Sequence, residues 1–226
     1  MVVPERETVS QAVWMYFALL AVSIVALIAA FSGADVMTLT LVMMAADSAI
    51  VLGYCVRSRR TIMNALSKAV SPGWFPVAAG LAVLTYLLAS GLLAIVRALL
   101  KIPVMDESAP FMSNGLLTAI LIICVQPAII EELGFRGVIL PALQPALAPN
   151  EAVLVSALMF MMLHLTLFSF PHLFVMGVVL GYLRVRTGSL LPGMLLHFTH
   201  NLLCVLGEQY WGHLLNFSVS IHHWFG

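Results

Sequence analysis

The sequence predicts an all-α fold, a polytopic transmembrane helical bundle of about seven spans with its active site among the last four. Three observations lead there. Of 226 residues, 62 % are hydrophobic and only 9 % charged, a balance that belongs to membrane proteins. Apolar runs of bilayer-crossing length recur between short connectors. Basic residues gather on alternate connectors, as they do where loops face the cytoplasm. Ten Lys and Arg against ten Asp and Glu give no excess charge for a nucleic acid or another polyanion. No repeat and no Ser-, Gln- or Gly-rich linker divides the chain, so 1–226 is expected to form a single integral membrane domain.

The expected spans run Val13 to Ser32, Val36 to Val56, Phe75 to Val96, Asn114 to Leu140, Ala152 to Phe168, His172 to Val185 and Leu190 to Leu206, the last two being short. The first run is longer than the apolar core of a cleavable signal, so it is read as a retained span. Arg57, Arg59, Arg60 and Lys68 between the second and third spans form the main basic cluster. With that cluster in the cytoplasm, Arg6, Arg184 and Arg186 join it, while Arg97 and Lys101 fall outside. The tail from Gly207 carries Tyr210, Trp211, Phe217, Trp224 and Phe225 without Lys or Arg, and is expected outside at the interface. Cys55, Cys124 and Cys204 lie in apolar segments without CxxC spacing and read as buried fillers rather than disulfide or thiolate zinc partners.

Chemistry has to come from the polar residues of the later spans. A charge at mid-bilayer costs roughly 2.5 to 3.5 kcal/mol, so Glu131, Glu132 and Arg136, all within the apolar fourth span, must be paired, hydrated or used. Glu132 and Arg136 stand at i and i+4 with the acid first, the favourable order for an ion pair. Glu131 points about 100° away and has no base one turn off, so its partner must come from another helix. Pro127 cannot donate to the carbonyl of Ile123 and crowds it, so a kink is expected one turn before Glu131, with Gly134 allowing close backbone approach. His164 is the titratable group of the fifth span, and His197 and Asn201 share a face of the seventh. Glu131, His164, His197 and Asn201 together offer a base for water and N–H donors for an oxyanion.

These residues resemble the CPBP family of intramembrane proteases, which includes type II CAAX prenyl endopeptidases and bacterial relatives. Its motifs EExxxR, FxxxH and HxxxN/D stand here in order as Glu131-Glu132 to Arg136, Phe160 to His164 and His197 to Asn201, with Gly137 following Arg136. The resemblance covers roughly Asn114 to Leu206, a catalytic core at 114–206. It implies a glutamate-dependent endopeptidase in which Glu131 and His164 activate water while His197 and Asn201 stabilise the oxyanion. Glu132, Arg136 and Phe160 would support them, and no cofactor is implied. The substrate would be a membrane-associated protein or peptide, such as a prenylated tail, a peptide precursor or a sorting tail. Short loops lean towards a bacterial cell membrane with the N-terminus in the cytoplasm.

Other readings stand beside this one. Two His and a Glu are also a zinc set, the minority alternative here because HExxH is missing. No GxSG run occurs, and Asp35, Asp47 and Asp106 supply no intramembrane aspartyl dyad. A non-catalytic transporter, scaffold or immunity factor could use the same buried polar groups for ions or partners. Asp47 either bonds a neighbouring helix or lines the cavity. His200 is a candidate supporting residue beside His197, whereas His172, His213, His222 and His223 are assigned no role. Gly177 and Gly181 form a GxxxG expected to pack helices within the chain rather than to specify a dimer. Nothing in the sequence sets an oligomeric state. The orientation is checked by replacing the three cysteines and introducing Lys68→Cys: an impermeant maleimide should label it from the cytoplasmic side, and labelling from outside would reverse the topology.

Overall fold

A computed structural model describes residues 5–101 and 109–222. Asp106, His223, Trp224 and Phe225 lie outside the described residues. The elements, all helical among the described residues, are α1 (Glu5–Phe31), α2 (Val36–Arg57), α3 (Arg59–Ser67), α4 (Trp74–Leu100), α5 (Ala109–Met112), α6 (Leu116–Leu143), α7 (Pro149–Leu163), α8 (Phe170–Thr187) and α9 (Leu191–His222). Five stretches are long and apolar enough to cross a membrane: Val9–Phe31, α2, α4, α6 and Leu167–Thr187; Pro149–Leu163 and Leu191–Gly207 are shorter apolar helices. The fifth expected span, not the sixth, is thus the short one. Composition misplaced it because the residues after Leu163 are as apolar as those before, yet Leu165 turns left-handed at φ 53° and ends the helix. The tail prolongs α9 to His222.

Local chemistry explains where the helices begin and end. Gly33, at φ 85°, reverses the chain between α1 and α2, a conformation that favours glycine. Asp35 then caps α2 by accepting from the Thr38 amide at 2.8 Å, and these bonds hold its exposed carboxyl below the usual range. α7 starts at Pro149, where the missing N–H would have no intrahelical partner, and Glu151 reaches back to accept from the Ala148 amide at 3.0 Å. α8 closes on Gly188 at φ 67°, whose amide bonds the Arg184 carbonyl.

The outward surface is apolar: Trp14, Phe17, Val25 and Ile28 of α1, and Leu84, Leu87, Leu88 and Ile95 of α4 are exposed. In water so continuous a face would be a liability, and against lipid tails it is ordinary. α6 occupies the middle, touching α1, α2, α3, α7, α8 and α9. Residues Glu132 to Leu140 are buried without interruption. Around them pack Met15 and Leu19 of α1, Val51 of α2, Ile62 and Ala65 of α3 and Phe160 of α7. The basic linker after α2 is therefore not a loop. It folds as α3, which buries Ile62 and Ala65, leaves Arg59 and Arg60 exposed, and is tied to the entry of α9 by Leu190 N to Ala65 O at 3.1 Å.

Where lipid supplies no hydrophobic drive between helices, close packing has to hold them. Ala78 and Ala82 let α4 approach Met176, Leu180 and Leu196. Gly177 and Gly181 pack α8 on α7, as expected of the GxxxG: a Cβ at Gly177 would lie 3.0 Å from Ala157 Cα, and one at Gly181 would lie 2.8 Å from Val153 Cγ1. Gly177→Ala presses on backbone that cannot give cheaply. It should lower unfolding stability in detergent by about 1 to 3 kcal/mol, and an unchanged melting curve would mean that the α7–α8 contact is looser than described.

Candidate active site

α6 departs twice from α-helical geometry, and both departures serve the polar residues. Ile120–Val125 and Glu132–Ile139 are π-helical, with the amides of Gln126 and Leu140 reaching back five residues to Leu121 and Phe135. Such wide turns are rare and concentrate at functional sites. The first precedes Pro127. The proline leaves the Ile123 carbonyl without its helical donor, and Asn201 Nδ2 donates to that oxygen at 2.8 Å. Asn201 thus bonds a neighbouring helix with one amide hydrogen, and the second is left for other work.

The second π stretch carries the charges. Arg136 Nη1 donates to Glu132 Oε1 at 3.0 Å, the pair expected from the spacing, and both side chains are 1 % exposed. Arg136 Nη2 donates to the Gly177 carbonyl at 3.0 Å, and its guanidinium lies 4.7 Å from the centroid of Phe160. His197 Nδ1 lies 3.2 Å from Glu132 Oε1. A carboxylate only accepts, so Nδ1 carries the hydrogen. Nε2 is thereby turned to Glu131, 3.8 Å from Oε2, at ion-pair rather than hydrogen-bond range. This is the partner from another helix that Glu131 required. Glu131 keeps 27 % of its side chain exposed, against 1 % for Glu132 and 4 % for His197. Of the adjacent glutamates, one is locked in structure and the other can meet a reactant.

Phe160 joins the remaining member. It is buried, edge-on to Phe135 at 5.2 Å, with the His164 ring 4.7 Å and the His197 ring 6.1 Å away. His164 sits just past the end of α7 rather than inside a span. Its Nδ1 donates to the Phe160 carbonyl at 2.8 Å, since that oxygen can only accept, and the lone pair of the neutral ring is left on Nε2.

His200 faces elsewhere. Its Nδ1 meets Thr85 Oγ1 of α4 at 3.0 Å, Thr85 donates to the Ala82 carbonyl, and Nε2 lies 3.7 Å from Cys204 Sγ. It is a joint between α9 and α4, not a companion of His197. Cys55 and Cys124 are buried as expected, Cys204 is only half-buried, and no disulfide joins the three. His172, given no role from sequence because it stood at a span end, lies in the first turn of α8. Gly193 was also missed: a Cβ there would lie 3.0 Å from Glu132 Oε2, so glycine lets α9 close on the carboxylate. No linear motif marks either. Among the described residues no three His, Cys, Asp or Glu side chains are grouped to hold a metal ion. Clefts of about 300 and 330 Å³ between α1 and α2 do not touch Glu131 or the histidines.

With this geometry in view, the three motifs can be compared with known families. Residues 113–203 match the family model described as Type II CAAX prenyl endopeptidase Rce1-like. The match supports the CPBP and CAAX protease resemblance carried by the motifs, and the family implies a membrane protease. Neither the curated proteins nor the solved structures gave a match.

Removing one partner of the buried pair leaves a bare charge, which costs about 3 to 5 kcal/mol, whereas removing both does not. Arg136→Met should therefore be strongly destabilised, and Glu132→Gln combined with Arg136→Met should melt above it. A double variant no better than the single one would show that Arg136 acts mainly through Gly177 and Phe160.

Proposed function

We propose that this chain is an intramembrane endopeptidase in which Glu131 is the carboxylate that activates water. The observation that carries the reading is the unequal fate of two neighbouring glutamates: Glu132 is closed in by Arg136 and His197, while Glu131 keeps about a quarter of its side chain, 27 %, exposed. In the reaction, water attacks the scissile carbonyl as Glu131 takes its proton, assisted by the Nε2 lone pair of His164. The oxyanion is met by an Nε2–H of His197 and by the second amide hydrogen of Asn201. The proton held by Glu131 or His164 then passes to the leaving nitrogen as the C–N bond breaks. No step requires a cofactor. Glu132, Arg136 and Phe160 position His197 and His164.

The substrate is a membrane-associated protein or peptide that reaches Glu131 from the bilayer. The N-terminus and α3 lie in the cytoplasm, the short helices α7 and α9 complete seven crossings, and the setting is a bacterial cell membrane. The core of the activity is 114–206 within a single membrane domain of 1–226.

The test compares free protein termini in membranes and medium from cells carrying the native chain, Glu131→Gln or no protein, after expression has been matched. A terminus made only with the native chain should be reproduced by purified enzyme and survive a metal chelator. Turnover should fall about 10²- to 10⁴-fold in Glu131→Gln and in His164→Ala. Loss of activity with chelator would move the reading to a metallopeptidase. A well-folded Glu131→Gln that leaves every terminus unchanged would move it to a transporter or scaffold.

A further inference from the structure

The cleft at the α3 end of the α1–α2 seam has no part in the reaction above. It encloses about 300 Å³ and is lined by Ala18 of α1 and by Ala49, Ile50, Gly53, Tyr54 and Arg57 of α2. The hollow exists because these two helices meet there through small residues. Gly53 is exposed, and a Cβ placed on it would have nothing within 4 Å. Ala49, Gly53 and Arg57 recur every four residues on one face of α2, so the hollow follows the helix and ends at a guanidinium. The rise from Ala49 to Arg57 is about 12 Å, close to the depth of about 15 Å that one leaflet's hydrocarbon occupies. Arg57 is the last residue of α2, is exposed, and has no ion pair among the described residues. Arg59 and Arg60 open α3 directly after it, both exposed. Trp14, one turn before Ala18 on α1, is 66 % exposed, and tryptophan is enriched at headgroup level. The second cleft of the seam, about 330 Å³ between residues such as Ala21, Ala29, Leu39 and Ala46, has no basic residue in its lining, and α2 starts beyond Leu39 on the acid Asp35. The two ends of the seam are therefore opposite in charge.

We propose that the cleft at the α3 end binds one anionic phospholipid, with an acyl chain along Ala18, Ala49 and Gly53 and the phosphate on Arg57. A guanidinium meets phosphate oxygens through paired N–H···O bonds, and Tyr54 brings a hydroxyl to the same site. Arg59 and Arg60 add attraction for a net negative headgroup, which a zwitterionic lipid with its own ammonium does not offer. The opposite side of the same hairpin faces the core: a Cβ on Gly134 of α6 would lie 3.3 Å from Val51 Cγ2 and 3.8 Å from Met15 Cε. A lipid in the cleft thus fastens α1 to α2 from outside while Met15 and Val51 hold the pair to α6 from within. The site uses none of the residues placed in hydrolysis, and it stands or falls independently of the protease reading.

The test is native mass spectrometry of the purified full chain released from detergent micelles that carry equal amounts of phosphatidylglycerol and phosphatidylcholine. The native chain should retain phosphatidylglycerol about fivefold better or more, and Arg57→Gln should remove most of that preference. Gly53→Leu fills the hollow, meets open space and leaves every charge in place, so it should lower retention of phosphatidylglycerol to a similar degree. Arg186→Gln removes an exposed base of α8 outside the cleft and should leave retention as it is. Glycerol phosphate, a headgroup without tails, should not displace the lipid. Equal retention of the two lipids by the native chain would overturn the site. So would native-like retention in Gly53→Leu, or a loss in Arg186→Gln as large as in Arg57→Gln, since surface charge alone would then account for the binding. Displacement by glycerol phosphate would likewise overturn it in favour of a free phosphate on the arginines.

Discussion

The buried pair of Glu132 and Arg136 gathers the last four helices. Arg136 fastens α6 to the Gly177 carbonyl of α8 and lies on Phe160 of α7, while Glu132 receives His197 of α9. Such a pair is weak evidence for stability, because an apolar pair of equal volume often serves as well. Its value here is direction. Glu132 takes the Nδ1 hydrogen of His197 and so turns Nε2 of the same ring to Glu131. Gly193 follows from it, since a Cβ there would lie 3.0 Å from Glu132 Oε2 and keep α9 from closing on the carboxylate.

A second constraint is the backbone. In hydrocarbon an unsatisfied carbonyl costs several kcal/mol, so the oxygen that Pro127 leaves at Ile123 needs a donor from outside the helix. Asn201 supplies it at 2.8 Å. That bond locks α9 to α6 in register, with His197 one turn before Asn201 and Glu131 one turn after Pro127. Proline and asparagine, distant in sequence, set the height at which His197 meets the glutamates.

Part of this was legible in the sequence, and each success has a local cause. The Glu132–Arg136 pair follows from helical spacing, the lone Glu131 from the absence of a base one turn away, and the apolar spans from length alone. The place of His164 was not legible: nothing in the apolar Leu163 to Phe168 announces that Leu165 turns left-handed. The bearing of His200 was also hidden. Its neighbour Asn201 faces α6, and a step of about 100° sends His200 to Thr85 of α4, but which helix waits there is a tertiary fact. Asp47 was visible as an anomaly in an apolar span, yet the helix packed on its own was not, because α2 and α6 are joined by packing and not by spacing.

The end of α7 shows why a protein would keep a conformation that lipid-facing composition does not ask for. A leucine in the left-handed region costs about 1 to 3 kcal/mol, and such strain persists only where its surroundings hold it. Were α7 to run on through Leu165, His164 would be one more side chain on a helix flank. Ending the helix there leaves its ring tilted against Phe160 with Nδ1 returned to the carbonyl of the same residue. One phenylalanine thus meets His164 through its ring and its carbonyl while its ring also lies 4.7 Å from the Arg136 guanidinium. An imidazole at a helix end, tied by its own hydrogen bond, is free of the helix's own direction. That freedom lets His164 lie against Phe160 together with His197, which comes from a different helix.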